Sequence, residues 1–150
     1  RVLFRSLGRK RYWPIFAAAE RANLPIGLHV GGPSAAAPSA SGWPSFYVEE
    51  HQVLSHSMPT QAASLILEGV FDRYPKLKLI LIEGGFAWVP TLGWRLDATV
   101  AKMRSEVPNL RLKPSEYLRR NLWYATQPIE EPEYPQHLRT IFDWIGWDRL

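Results

Sequence analysis

Hydrophobic residues in this chain form two kinds of segment that alternate along its length. Six segments are predicted to be helical, most of them because apolar residues recur at intervals of three and four: residues 12–22, 45–57, 61–74, 88–107, 114–120 and 138–145. Three short runs between them are apolar almost throughout and cover residues 24–28, 77–82 and 122–126. Unbroken apolar runs are typical of parallel strands that are covered on both faces. The order α-β-α-α-β-α-α-β-α therefore predicts an α/β fold with a parallel sheet built from βα units.

Prolines and glycines indicate where these elements end. Pro59 is expected to separate two helices, Pro75 to end the second of them, and Gly146 to cap the last helix before the start of another strand. Residues 31–44 are small, contain prolines and show no period, so they predict an unusually long loop. Long loops inside compact domains are often functional, and we expect this one to cover a substrate.

Two of the apolar runs end in the same way, with an ionisable residue followed by paired glycines. His29 precedes Val30-Gly31-Gly32, and Glu83 precedes Gly84-Gly85. In parallel α/β proteins the carboxyl ends of the strands face the ligand. His29 is thus a candidate metal ligand, because neutral imidazole binds first-row metals well. The alternative is a core histidine whose ring is satisfied by a backbone carbonyl.

Glu83 has two interpretations as well. A carboxylate at the end of a buried strand is costly unless it is paired, hydrogen-bonded or bound to a metal. A salt bridge to Arg95, about two helical turns further on, would satisfy it structurally. A desolvated Glu83 would instead have a raised pKa and would exchange protons near neutral pH.

Other residues near the predicted ligand face are weaker candidates. His51 and His56 are five residues apart, a spacing that does not place both on one helical face, and we expect surface positions, with His56 the better candidate for facing a substrate. Trp43 and Trp88 flank the predicted site and are candidates for lining a pocket.

Two further positions complete the set of candidates. The segment 127–132 follows the third strand and therefore lies on the ligand face, although its adjacent acids Glu130 and Glu131 are expected to be solvated. His137, in the first turn of the last helix, is expected to have no special role.

Composition excludes several classes of protein. The chain has 150 residues, 46% of them hydrophobic and 21% charged, and it contains no cysteine, which excludes disulfides and thiolate metal sites. The net charge of +4 is concentrated in residues 1–11, which hold five of the 18 basic residues and no acid, so the remaining residues have a net charge of −1. This distribution disfavours nucleic-acid binding. No stretch has the length of a membrane span, and we expect a cytoplasmic protein without membrane contact.

No nucleotide-binding P-loop, dinucleotide fingerprint or nucleophile elbow is present. Several stretches, in their order and spacing, nevertheless resemble the amidohydrolase 2 family of metal-dependent hydrolases and decarboxylases. They are Tyr12–Ile15, Leu24–Gly32, Leu67–Pro75, Glu83–Pro90, Trp94–Asp97 and Thr126–Pro132.

The resemblance implies a distorted (β/α)8 barrel, in which His29 matches the metal-binding histidine of the fifth strand. Glu83 falls where many members have a catalytic histidine on the sixth strand, and this departure argues against decarboxylase chemistry. The family's His-x-His of the first strand and its aspartate after the eighth strand have no counterpart here. A whole barrel takes about 250 residues, so we expect residues 1–150 to be one incomplete barrel domain, a C-terminal-half fragment with about three parallel strands. Such a piece should be unstable or associate on its own.

The function that the resemblance implies is hydrolysis by a metal-activated water, which attacks a carbonyl or lactone carbon of a small organic substrate. His29 would bind the divalent metal, with zinc the first choice and manganese or iron the alternatives. Glu83 would be the catalytic residue, which accepts a proton or adds a ligand. Substrate-binding residues are predicted to be His56, Trp88 and Arg95. We expect the parent protein to be a homo-oligomer. The alternatives are a metal-dependent decarboxylase on the same scaffold and a non-catalytic fragment in which His29 and Glu83 are structural.

Overall fold

A computed structural model of the chain describes residues 6–30 and 42–150. Most of the loop predicted over residues 31–44 lies outside these described residues. The fold is α/β, as predicted, with three parallel strands and flanking helices.

The strands form a parallel sheet in the order β1-β2-β3, with β1 at Ile26–His29, β2 at Leu79–Ile82 and β3 at Leu122–Tyr124. The register pairs His29 with Ile82 and Leu81 with both Leu28 and Tyr124. All three predicted strands are present, and each is shorter than its apolar run. The parallel register brings the carboxyl ends of β1, β2 and β3 to one edge of the sheet.

Seven α-helices occur among the described residues. They are α1 (Trp13–Ala22), α2 (Tyr47–Val53), α3 (Ser57–Leu67), α4 (Val70–Arg73), α5 (Trp88–Lys102), α6 (Pro114–Asn121) and α7 (Gln136–Ile145). Short 3-10 turns lie at Lys10–Tyr12, Leu54–His56, Arg104–Glu106 and Trp147–Arg149. None of the helices in the described ranges has the length and apolarity that crossing a bilayer requires.

The predicted helix break at Pro59 is wrong. Pro59 lies in the first turn of α3, where backbone N–H groups have no partner within the helix and a missing one costs little. The helices α2 and α3 instead meet at the 3-10 turn Leu54–His56, and the predicted helix 61–74 is interrupted at Gly69, whose φ of +80° separates α3 from α4. Asn109 Nδ2 donates to the Leu67 carbonyl at 3.2 Å and packs against the space where Gly69 would carry a Cβ.

Gly146 is the C-cap of α7, as predicted, with a φ of +105°, and Trp147–Arg149 after it form a 3-10 turn. The strand expected to follow stays a prediction. The Trp147 indole donates to Asp143 one helical turn earlier at 2.8 Å, and the Asp148 carbonyl accepts from the Trp123 indole of β3 at 3.1 Å, so this turn contacts both α7 and β3.

The two faces of the sheet differ in burial. One face packs against the helices and holds Ile26, Leu28, Leu79, Leu81, Leu122 and Tyr124, of which the β2 and β3 members are buried. The opposite face is only partly covered and holds Gly27, His29, Ile80, Ile82 and Trp123. The buried face continues into a core of α3, α4, α5 and α6 side chains that includes Leu65, Phe71, Val89 and Leu118.

Carboxylates join the helices to one another at two places. Asp97 of α5 accepts from the backbone N–H and the hydroxyl of Ser115, at 2.9 and 2.6 Å, and so caps the start of α6. Asp72 of α4 accepts from the hydroxyl of the buried Tyr117 of α6 at 2.6 Å. These two links fix α6 against its neighbours and hence the point at which β3 begins.

Candidate active site

His29 and Glu83 converge where β1 and β2 end. His29 Nε2 lies 3.4 Å from Glu83 Oε2, and the two side chains are 56% and 47% exposed. The other ring nitrogen of His29, Nδ1, lies 2.7 Å from the carbonyl oxygen of Val30. Because a carbonyl only accepts hydrogen bonds, Nδ1 carries the proton in this contact, and a neutral ring then presents its lone pair at Nε2. This is the arrangement usual for metal-binding histidines.

Backbone geometry explains how Glu83 reaches His29. His29 pairs with Ile82 in the ladder, so these two side chains lie on the same face of the sheet. In a continued strand the next residue, Glu83, would point to the opposite face. A φ of +57° at Glu83 turns the chain out of the strand, and the carboxylate comes to the side of the histidine. A positive φ is uncommon for a residue other than glycine.

The surroundings of His29 favour its charged form. The hydrogen bond to the Val30 carbonyl is the largest influence and raises the pKa of His29 above its ordinary value of 6.5. Desolvation opposes this rise, and the negative charge of Glu83 together with its hydrogen bond adds to it. His29 is therefore an imidazolium at mildly acidic pH and a neutral imidazole above its raised pKa.

Neither purely structural interpretation, a core histidine at His29 or a salt bridge between Glu83 and Arg95, matches the structure in full. His29 is satisfied by a backbone carbonyl, as the core-histidine interpretation expects, yet its side chain is more than half exposed and is not in the core. Arg95 is exposed on α5, and among the described residues Glu83 has His29, rather than Arg95, as its ion-pair partner. The predicted salt bridge between Glu83 and Arg95 is therefore wrong.

Beside the pair lies an open cleft of about 450 Å³. Glu83 and Gly85 form one wall, and residues 128–131, which follow β3, form a second. The third wall comes from His51 and Gln52 of α2 and from Ser55 just after it. Val30 follows β1 and also lines the cleft, so segments that follow all three strands meet α2 around a space large enough for a small organic molecule.

The residues predicted to bind substrate do not line this cleft. His56 is exposed at the start of α3, and Arg95 lies two turns into α5. Trp88 packs edge-on against Tyr124 at 5.9 Å, and its indole N–H donates to the carbonyls of Gly84 and Gly85 at 2.8 and 3.1 Å. Trp88 therefore stabilises the turn that follows Glu83, through hydrogen bonds to its backbone. Substrate binding by these three residues stays a prediction without support from their positions.

Two residues that line the cleft, His51 and Glu130, were not predicted to belong to the site. His51 was expected at a surface position that does not share a helical face with His56, whereas its place in the cleft depends on how α2 lies against the strand ends. Glu130 was expected to be solvated, but its Oε1 accepts from the backbone N–H groups of Phe86 and Ala87 at 2.8 and 2.9 Å. The available signal was its position directly after a strand end, on the predicted ligand face.

His29 and Glu83 could supply two of the ligands of a metal ion. No group of three or more His, Asp or Glu side chains within residues 6–30 and 42–150 is arranged to hold a metal ion. His29 and Glu83 nonetheless offer one nitrogen and one oxygen donor side by side, and the Val30 carbonyl orients the histidine with Nε2 free of a backbone partner. Imidazole and carboxylate suit zinc, manganese and iron, so these residues fit a divalent ion as two of its ligands.

Comparison with known proteins agrees with this fold. A family model described as amidohydrolase matches residues 3–150. An amidohydrolase from Mycobacterium avium subsp. paratuberculosis is 32% identical, with a TM-score of 0.74 over 97% of this chain and 36% of that one. The 5-carboxyvanillate decarboxylase LigW from Sphingomonas paucimobilis is 28% identical, with a TM-score of 0.69 over 97% of this chain and 42% of that one.

A more distant structure shows the same fold. A dihydroxybenzoic acid decarboxylase from Polaromonas sp. JS666, with bound manganese and the inhibitor 2-nitroresorcinol, is 23% identical with a TM-score of 0.72. It is matched over 99% of this chain and 44% of its own length. The chain thus spans less than half the length of each of these three proteins, and its three parallel strands with their helices form part of a TIM-type barrel. Since the family model covers nearly every residue, this chain belongs to the amidohydrolase family.

Proposed function

We propose that this chain contributes a metal ligand and a proton acceptor to a metal-dependent hydrolase of small carbonyl compounds. The observation that carries the proposal is the convergence of His29 and Glu83, 3.4 Å apart at the carboxyl ends of parallel strands, with Glu83 lining the cleft. The activity of the whole protein also depends on parts of the barrel that this chain does not span.

His29 is the proposed metal ligand, through Nε2. Its Nδ1–H is held by the Val30 carbonyl, which fixes the orientation of the ring without using the nitrogen that faces Glu83. A divalent ion is the proposed cofactor, supported by the manganese bound in the Polaromonas decarboxylase structure, and zinc remains our prediction from sequence. When bound, such an ion supplies positive charge that stabilises the negative charge developing on the substrate oxygen.

Glu83 is the proposed proton acceptor. Its carboxylate borders the cleft and is about half exposed, so that a water molecule in the cleft can reach it. A carboxylate can take a proton from an attacking water and later return it to the leaving group. In the metal-free chain the protonated imidazole holds this carboxylate in place through its charge and its Nε2–H, and this contact ends when Nε2 gives up its proton to bind a metal.

The cleft residues outside this pair would orient the substrate. His51, Gln52 and Ser55, which also line the cleft, have side chains that both donate and accept hydrogen bonds. Ile129 adds an apolar surface. A small molecule with a carbonyl group and one apolar portion fits this lining.

The test compares the binding of Mn²⁺ and Zn²⁺ to the wild-type chain and to His29→Ala, by calorimetry in the pH range where His29 is neutral. We expect His29→Ala to weaken binding at least about 100-fold, because one of few ligands is lost. The matched control is His137→Ala, since His137 lies on α7 and contacts Tyr134 rather than the cleft. Equal affinity in wild type and His29→Ala would refute the proposal.

Decarboxylation is the second candidate, favoured by the 28% identity to a 5-carboxyvanillate decarboxylase. An anionic Glu83 accepts protons readily but cannot act as a cationic imidazolium, which favours hydrolysis. The full-length enzyme that contains this chain separates the two: hydrolysis of an ester or lactone releases acid, whereas decarboxylation of an aromatic acid releases carbon dioxide. For a hydrolase, Glu83→Gln should lower kcat about 10²- to 10⁴-fold.

A further inference from the structure

The Glu83 turn is held by a second carboxylate from another strand end. Glu130 follows β3, and its Oε1 accepts hydrogen bonds from the N–H groups of Phe86 and Ala87. These N–H groups stand at the start of α5, where the helix provides no acceptor for them. The negative charge of Glu130 also lies at the positive end of a fifteen-residue helix.

Glu130 makes close contact with the backbone of the turn. Gly85 has a φ of +63°, and a Cβ built on it would lie 2.8 Å from Glu130 Oε1. Only a glycine leaves room for the carboxylate at this distance. The second oxygen, Oε2, is buried and has no hydrogen-bond partner among the described residues, so the contact with the turn is the one that fixes this side chain.

Trp88 stabilises the same turn through its backbone carbonyls. Its indole N–H donates to the carbonyls of Gly84 and Gly85, while Glu130 accepts hydrogen bonds from the N–H groups of the two following residues. The peptide groups of residues 84–87 are thereby fixed through both their donors and their acceptors. Glu83, directly before them, is kept at a φ of +57°, which a free chain would rarely adopt.

We propose that Glu130 is a positioning residue that keeps Glu83 in the left-handed conformation in which its carboxylate meets His29. The role in metal binding rests on the proposed function, whereas the effect on Glu83 does not. Without Glu130 the residues after β2 lose their anchor, and Glu83 can relax toward an extended conformation that points away from the histidine.

Asp97 provides a matched control, because it makes the same kind of contact elsewhere. Its carboxylate accepts two hydrogen bonds from Ser115 at the start of α6, and it does not line the cleft. Removal of either carboxylate takes a cap from a helix, so both variants lose stability. Only the loss of Glu130 should change the geometry of the His29–Glu83 pair.

The first measurement uses the metal-free full chain. The nuclear Overhauser effect between the His29 ring and the Glu83 side chain reports their contact by NMR. We expect it in wild type, in Asp97→Ala and in Glu130→Gln, whose amide oxygen still accepts from Phe86 and Ala87. It should be lost in Glu130→Ala. If it persists in Glu130→Ala at wild-type strength, the proposal is overturned.

The second measurement is the affinity for Mn²⁺. We expect Glu130→Ala to bind Mn²⁺ about 10- to 100-fold more weakly, as is typical when support of a metal ligand is removed. Asp97→Ala should stay within about twofold of wild type, and Glu130→Gln within about threefold. Equal affinities of Glu130→Ala and Asp97→Ala would count against the positioning role.

The two measurements separate the two proposals. If the wild-type chain binds no Mn²⁺, the proposed function fails, and the NMR contact alone decides the role of Glu130. Should Glu130→Ala not fold, Glu130→Asp replaces it in both experiments. This variant keeps the charge but withdraws the carboxylate from Phe86 and Ala87, and the same loss of contact and affinity is expected.

Discussion

Tyr117 and Asp72 share a hydrogen bond of 2.6 Å, in which the phenol of α6 donates to the carboxylate of α4. The same hydroxyl oxygen accepts from the backbone N–H groups of Arg111 and Leu112, each at 3.0 Å. Burial is the main cause that raises the pKa of Tyr117, and the bond to Asp72 adds to it. The Tyr117 hydroxyl is thus the hydrogen-bond partner of the Asp72 carboxylate and of the Arg111 and Leu112 N–H groups, which have no other hydrogen bond among the described residues.

Tyr117→Phe should therefore destabilise the chain strongly. The change leaves a carboxylate and two N–H groups without their partner, and we expect the free energy of unfolding to fall by about 2–4 kcal/mol. Urea denaturation followed by circular dichroism measures it. Tyr134→Phe is the control, because Tyr134 is exposed and its hydroxyl makes no hydrogen bond to a described residue. A loss as small as that of the control would contradict this reading of the contact.

The titration of His29 should depend on Glu83. We expect the pKa of His29 in the metal-free chain to lie above 6.5 and to fall in Glu83→Gln, with the Val30 carbonyl preserving part of the rise. Because the folded pKa is raised, this group stabilises the fold below pH 6.5, and the contribution disappears as the pH rises through the folded pKa. NMR titration of the ring protons measures the shift. Glu106→Gln, at the opposite end of α5, removes the same charge and should leave His29 unchanged.

Metal affinity should depend on pH through the same histidine. A proton must leave Nε2 before it can bind a metal, so the affinity for Mn²⁺ should fall by about tenfold per pH unit below the pKa of His29. Because that pKa is raised, the fall should begin at a higher pH than for an ordinary histidine. Mn²⁺ titrations between about pH 5.5 and pH 8, followed by electron paramagnetic resonance, measure this. An affinity independent of pH would exclude His29 as a ligand.

Gly69→Ala should destabilise the junction of α3 and α4. The new methyl group would lie 2.7 Å from Asn109 Nδ2, at a φ of +80° that L residues rarely adopt, and we expect a loss of about 2–4 kcal/mol. Gly146→Ala is the control with a similarly positive φ of +105°, but its methyl group has more room, since the nearest atoms are Asp148 Oδ1 at 3.1 Å and Arg149 Cγ at 3.5 Å. Thermal melts of both variants measure the difference, and equal losses would show that the contact with Asn109 does not matter.

Sequence alone predicted the elements of this fold because their signals are local. The apolar run before Glu83 and the helical stripe from Val89 to Val100 both appear in the structure as a strand and a helix. The break between α2 and α3 precedes Pro59, because a proline in the first turn of a helix does not interrupt it. Gly69, which interrupts the predicted helix 61–74, resembles any other glycine in a helical pattern until its φ is known.

The candidate site was predictable as a location but not as a set of contacts. His29 and Glu83 were predicted to lie together because each comes at the carboxyl end of a strand, and these ends meet at one edge of a parallel sheet. The cleft position of His51 and the bonds of Glu130 to the turn depend on contacts between segments far apart in sequence. The left-handed conformation of Glu83 is likewise imposed by its surroundings, because a glutamate does not favour it.

The two faces of the sheet differ in burial, so neighbouring positions of β2 should tolerate substitution to different degrees. Leu81 is buried among the helices, and truncation to alanine would cost about 2–5 kcal/mol. Ile80, its neighbour, lies on the partly covered face that in a complete barrel is turned toward the lumen. Among homologous chains, position 81 should consequently keep its size, whereas position 80 should vary together with whatever fills the interior.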